Sequence, residues 1–233
     1  MKSRRKSVFV QTGYKWLLRF LIAFFAITIC VVVSLRWVDP FTSSFMLQYQ
    51  LHENRAIDYQ WLPRQQISSH LAIAAVASED QKFPIHHGFD FSSIYSAIQD
   101  STKGKSLRGA STISQQVSKN LFLWKGRSFV RKGLEAYFTV LLELFLPKDR
   151  ILEIYLNIAE FGPGIYGVGA ASKRYFKLHA RELSLYQSCQ LITALPNPKR
   201  IKVVPASDYV KKRTSEIVTQ VKQLGGIEYL KRS

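Results

Sequence analysis

SFVRKGLEAYFTVLLELFLP, residues 128–147, decides the fold class. Leu134, Phe138, Leu141, Leu142 and Phe145 recur at the three- and four-residue steps that share one face of an α-helix. Ser128 supplies an N-cap and Pro147 a stop. Upstream, Ser111 or Thr112 opens a helix running to about Phe122, and Asp90 or Ser92 caps one through Ile94 and Ile98 that Gly104 closes. Before that, Leu71, Ala74, Ala75 and Ala77–Ser78 form a compact apolar helix ending at Glu79-Asp80. Downstream the pattern predicts helices over 151–159, 170–176, 183–195 and from about Ala206 to Leu224. Residues 103–108 (KGKSLR) form a polar loop with the composition of a mobile one, and residues 39–67 read as a juxtamembrane connector of mixed polarity. No strand-like alternation of useful length and no internal repeat occurs, so the fold class is mainly α.

The N-terminus is of another kind. Phe20–Leu35 carries no charge, and the run extends from Trp16 to Val38 with Arg19 and Arg36 near its ends. Twenty-odd apolar residues suffice to cross a hydrocarbon core of about 30 Å, with interfacial tryptophans at 16 and 37. Lys2, Arg4, Arg5, Lys6 and Lys15 hold the N-terminus on the cytoplasmic side, placing the rest outside. Bulky and charged residues, Ser34-Leu35-Arg36-Trp37, follow where a signal peptide would carry small ones, which favours a retained anchor. The expected layout is a basic tail over 1–15, a transmembrane anchor over 16–38, the connector, and one domain over 68–233.

The 233-residue chain has 33 Lys and Arg against 16 Asp and Glu, a formal charge of +17. Without the first 38 residues the excess is still +10. Such a surplus suits polyanionic partners: nucleic acid, anionic lipid or a phosphorylated substrate. A domain outside the cytoplasm does not meet chromosomal DNA or ribosomes, so nucleic acid is set aside. Cys30 and Cys189 give no disulfide framework and no metal spacing.

Four short motifs fail their context. Gly162–Gly167 satisfies G-x-G-x-x-G but follows a helical segment and holds a proline. Gly104-Lys105-Ser106 lacks the leading glycine of a P-loop, Gln99 standing in its place. Ser3-x-x-Lys6 lies in the cytoplasmic tail. His86-His87 lacks a third ligand and reads as a hydrogen-bonding or packing feature. What remains is the acidic pair Glu79-Asp80 and a cationic stretch, Lys119, Arg127, Arg131 and Lys132, with Glu135 embedded in it. Arg131 and Glu135 stand one turn apart and can pair; taken alone, they read as a salt bridge on a solvated helix face.

AAVASEDQKFPIHHGFD (74–90), GASTISQQVSKNLFL (109–123), RKGLE (131–135) with ILEIYLN (151–157), and FGPGIYGVGAASKRYF (161–176) resemble, in order and spacing, the motifs of the peptidoglycan glycosyltransferases. A weaker fifth match runs from Leu183 to Pro198, where Gln187 replaces the usual glutamate and Ser188, Cys189 and Gln190 replace a small apolar run. The anchor and the absence of a transpeptidase-sized domain resemble the monofunctional branch. The resemblance implies a lysozyme-like α domain polymerising lipid II into β-1,4-linked strands, with inversion and release of polyprenyl pyrophosphate, on the outer face of a bacterial inner membrane. By resemblance Glu79 is the general base, Asp80 its support and Glu135 a second important carboxylate. Lys119, Arg127 and Arg131 face the donor pyrophosphate, and Ser111, Gln115 and Gln116 give neutral hydrogen bonds in the same cleft. No organic cofactor is implied; a divalent cation, Mg or Mn, is left open at Glu135. Partners are lipid II, the growing strand, membrane lipids through apolar residues of 39–67 and 91–98, and cell-wall synthesis or division proteins. Two alternatives stay open on the sequence: a lysozyme-like lytic enzyme, which would also use carboxylates on an α scaffold, and a non-catalytic anchored scaffold.

Overall fold

The computed structural model describes residues 2–102 and 111–232, the side chains of 2–12, 97, 98, 100–102 and 232 excepted. The loop expected at 103–108, Gly104 included, and Gly109 and Ala110 of the second motif lie outside the described residues. The chain divides into residues 1–38 and 39–233. The first unit is one helix, α1 (Lys2–Ser34), whose segment Gly13–Ser34 is long and apolar enough to cross a membrane. Twenty-two residues at 1.5 Å each span about 33 Å. The helix stops at Ser34, so Leu35–Val38, read as part of the span, form turns and a bend.

In the second unit the 39–67 stretch is not a plain connector. It holds α2 (Ser44–Glu53), a two-residue strand β1 (Asp58–Tyr59) and a 3-10 turn at Arg64–Gln66. Ser43 caps α2 by accepting from the Met46 N–H at 3.2 Å, and Met46 and Tyr49 are buried as α2 packs on α5. Asn157 fixes the end of the stretch: its Oδ1 accepts from Leu62 N–H and its Nδ2 donates to Leu62 C=O, both at 2.8 Å.

Helices α3 (Ser69–Glu79), α4 (Phe91–Thr102), α5 (Ile113–Phe122) and α6 (Phe129–Phe145) follow the expected pattern. Asp90 caps α4 by accepting from Ser93 N–H at 3.0 Å, and Thr112 and Ser128 cap α5 and α6. Helix α7 (Lys148–Ile158) starts three residues earlier than its apolar pattern, because Pro147 sits at its N-cap. Then come strands β2 (Glu160–Gly162) and β3 (Ile165–Tyr166), helix α8 (Gly167–Phe176), and helices α9 (Leu185–Ile192) and α10 (Asp208–Leu224).

The short strands, absent from the sequence reading, form a sheet of order β1-β3-β2, parallel between β1 and β3 and antiparallel between β2 and β3. Two residues are too few to show alternation, and the glycines that look like a nucleotide motif serve this hairpin. Gly167 has φ +78°, and a Cβ there would stand 2.5 Å from Asn157 C=O.

The helices pack in two groups: α3 against α9 and α10, and α5 against α6 and α7. Leu71 through Ala77 are all buried, and four of the seven are alanines, which lets the neighbours of α3 approach closely. The unit is mainly helical.

Candidate active site

The two groups meet where α3 ends and α5 begins. Asp80 leaves helical geometry at φ −160°, ψ 78°, its N–H still bonded to Val76 C=O. Its carboxylate is buried and fully engaged. Oδ2 accepts from Ile113 N–H at 2.9 Å, and His86 Nε2 lies 2.9 Å from both oxygens. Gly88 N–H donates to His86 Nδ1, which assigns the ring hydrogen to Nε2, facing Asp80. Thr112 Oγ1 donates to Gly88 C=O at 2.7 Å and closes the ring of contacts. Asp80 thus joins α3, the 82–88 loop and α5; the His86 reading as a hydrogen-bonding residue holds.

Glu79, one residue earlier, points elsewhere. Gln116 Nε2 donates to its Oε2 at 3.1 Å, and among the described residues no cation reaches it directly. Burial pushes its carboxyl above the usual carboxylate range, while the Gln116 and Ser78 hydrogen bonds and the charges of Arg213 and Lys119 pull the other way. Glu79, Lys82, Asp90 and Ser111 line a cleft of about 230 Å³. Asp90 is held well below the usual carboxylate range by Ser92, Ser93 and Lys82, overriding its desolvation.

Gln116 opens on a second cleft of about 180 Å³, with Lys119 one turn further along the same face of α5. Phe45, Tyr155, Glu160 and Tyr166 complete its wall. Burial lowers the Lys119 pKa, with Arg131 and Lys132 adding to the shift and the Glu135 and Glu79 charges opposing it. Lys119 therefore feels both glutamates.

Glu135 is 3% exposed, so the solvated-face reading of its pairing is overturned. Its Oε2 takes Arg131 Nη1 at 2.9 Å and its Oε1 takes Lys132 Nζ. Arg127, exposed in the α5–α6 loop, lines a third opening of about 360 Å³ with Ser128, Phe129, Arg131 and Lys132. A divalent cation at Glu135 does not fit this donor set, since both oxygens of the one carboxylate already hold cations.

Of the neutral residues, Ser111 and Gln116 line the clefts but Gln115 does not. Its Oε1 accepts from Thr112 N–H at 3.0 Å in a reciprocal cap of α5, and it is 4% exposed. In the atypical fifth segment Gln187 plays a similar part, its Oε1 accepting from Ser184 N–H at 3.0 Å to cap α9. Cys189 and Gln190 are buried, and Gln190 donates to Val203 C=O at 2.8 Å.

Sequence reasoning missed Tyr155, Glu160 and Arg213. Tyr155 sits inside an apolar helix and reads as core. Glu160 lies on a strand too short to register, its carboxyl pushed up by burial against the pull of Lys125 and Lys199. Arg213 reaches Ser78 from a helix 135 residues away.

A family model described as Transglycosylase matches residues 47–222. The chain is 49% identical to a biosynthetic peptidoglycan transglycosylase of Shewanella oneidensis over 94% of this chain and 95% of that protein. Proteins of the same name from Chromohalobacter salexigens and Xylella fastidiosa are 46% and 47% identical. Those two matches cover 96% and 95% of this chain, and 97% and 95% of the relatives.

Proposed function

Because the chain belongs to the transglycosylase family and is a peptidoglycan glycosyltransferase, we infer that it polymerises lipid II with Glu79 as general base. The acceptor's 4-hydroxyl attacks C1 of the donor sugar. The O4–C1 bond forms, the bond from C1 to the pyrophosphate oxygen breaks, and the hydroxyl proton passes to Glu79. Polyprenyl pyrophosphate leaves as a stable anion, so the site needs cations on the leaving side rather than a strong acid. Lys119 meets that developing charge, and Arg127 and Arg131 extend it. Glu135 holds Arg131 and Lys132 in place, and Asp80 supports the base by fixing the helix end. Any Mg or Mn would arrive on the substrate's pyrophosphate, outside a protein cage.

The observation that carries this reading is the Glu79–Gln116 bond of 3.1 Å, which ties a desolvated carboxylate to the face of α5 that also carries Lys119. A lytic enzyme would have less need of the cations beside it. The test is polymerisation of lipid-linked disaccharide-peptide by wild type, Glu79→Gln and Lys119→Ala. Hydrolysis of finished glycan without polymer growth would overturn the assignment.

Gly13–Ser34 serves as the anchor in the inner membrane, with the basic tail inside and the catalytic unit outside. The exposed Phe41, Leu51, Phe91 and Tyr95 favour further lipid contact by residues 39–67 and 91–98. Reporter fusions at either end of the chain read the topology. Cell-wall synthesis or division proteins are natural partners for an enzyme on that surface.

A further inference from the structure

Tyr155 has no part in the mechanism above, yet it lines the cleft that holds Gln116 and Lys119. The residue is 1% exposed, on the face of α7 that packs against α5. Its neighbours constrain it sharply. Burial, with the charges of Glu79 and Asp80, keeps the phenol well above its ordinary pKa, so the hydroxyl retains its hydrogen and must place it. The acceptor within reach is Gln116 Oε1, at 3.5 Å, a weak bond longer than an ordinary O–H···O contact.

An amide has one acceptor end and one donor end. Glu79 Oε2, an acceptor, requires Gln116 Nε2 opposite it, and the phenol, a donor, requires Oε1. Both neighbours therefore select the same orientation of the Gln116 amide. With that orientation fixed, a chain runs from the Tyr155 O–H through the amide to the carboxylate, each bond polarising the next.

We propose that Tyr155 is a positioning residue for the reaction: by donating to Gln116 Oε1 it turns that amide so that Nε2 holds Glu79 Oε2 at the junction of the two clefts. This rests on Glu79 being the base. Without Tyr155 the amide can rotate, and the carboxylate loses both a fixed orientation and a donor that favours its ionised form. The other groups facing Glu79 among the described residues are Ser78 on its own helix, Arg213 from α10 and Lys119 from α5. All of them remain in a Tyr155→Phe variant.

The test uses the full-length protein in detergent, following polymerisation of lipid-linked disaccharide-peptide against pH. Tyr155→Phe is expected to lower kcat about tenfold, leave KM within about twofold, and move the acid limb to higher pH. Gln116→Leu moves the limb the same way and further, and the double variant moves it no further than Gln116→Leu alone. A Tyr155→Phe limb that overlays wild type, or shifts that add in the double variant, overturns the proposal. A second readout does not depend on turnover: the ¹³C carboxyl titration of Glu79, identified by its loss in Glu79→Gln, is expected to rise in Tyr155→Phe. A titration that stays put rejects the positioning role by itself. Glu79→Gln that polymerises normally removes instead the base on which the kinetic arm stands.

Discussion

Glu79 and Glu135 are the same side chain in two settings. Glu79 sits at the C-terminal end of α3, where the helix dipole disfavours negative charge. Its direct partners are neutral, and burial raises its pKa. Glu135 sits within α6 with a cation on each oxygen. Desolvation poises the Glu79 carboxyl to take a proton, whereas the Glu135 carboxylate anchors two basic side chains. Glu135 is the more deeply buried of the two, and the charge of their partners separates them further. Lys119, sensing both, joins the basic end of the site to the cationic end.

The contrast breaks most directly at Glu79. Glu79→Gln is expected to cut polymerisation about a thousandfold while substrate binding persists, measured by product length on gels beside equilibrium binding. Lys119→Ala follows, with kcat down about a hundredfold as the leaving pyrophosphate loses its nearest cation. Glu135→Gln acts differently: it leaves Arg131 and Lys132 without a counter-charge, lowering stability by about 2 kcal/mol in denaturant titration and activity about tenfold.

Acidity sharpens the comparison. With Glu79 as the proposed base, its raised pKa predicts that activity falls as pH drops through it, because the carboxylate becomes protonated. The stability linkage has the opposite sign: the contribution of protonated Glu79 is complete below its unfolded pKa and is lost as pH rises through the folded one. Glu79→Gln is therefore expected to raise the melting temperature at neutral pH, and a lowered one would contradict the unfavourable burial of its charge. Least of all, Gln187→Glu should leave both activity and melting unchanged within error, since either side chain caps α9.

The long helices were legible because caps and apolar periodicity agree at Thr112, Ser128 and Pro147. Helix α2 was not: Met46 and Tyr49 face inward while Leu47 and Leu51 face solvent, which blurs the stripe. Glu79, Lys119 and Glu135 were singled out as site candidates through resemblance, for nothing local separates a glutamate in a cleft from a surface one. Gln115 shows the converse. Its neighbour Gln116 lines a cleft, but one step along a helix turns a side chain by about 100°, and Gln115 ends up in a cap. Arg213 and Tyr155 matter through contacts across the fold, which no window of sequence contains.

The clasp between Asn157 and the backbone of Leu62 governs where this enzyme can be severed. A protease nick or deletion that spares the helical body from residue 68 onward strips a buried amide of both its Leu62 partners and removes a strand from the sheet. Soluble forms should begin at Asp39; those beginning at Ser68 should aggregate.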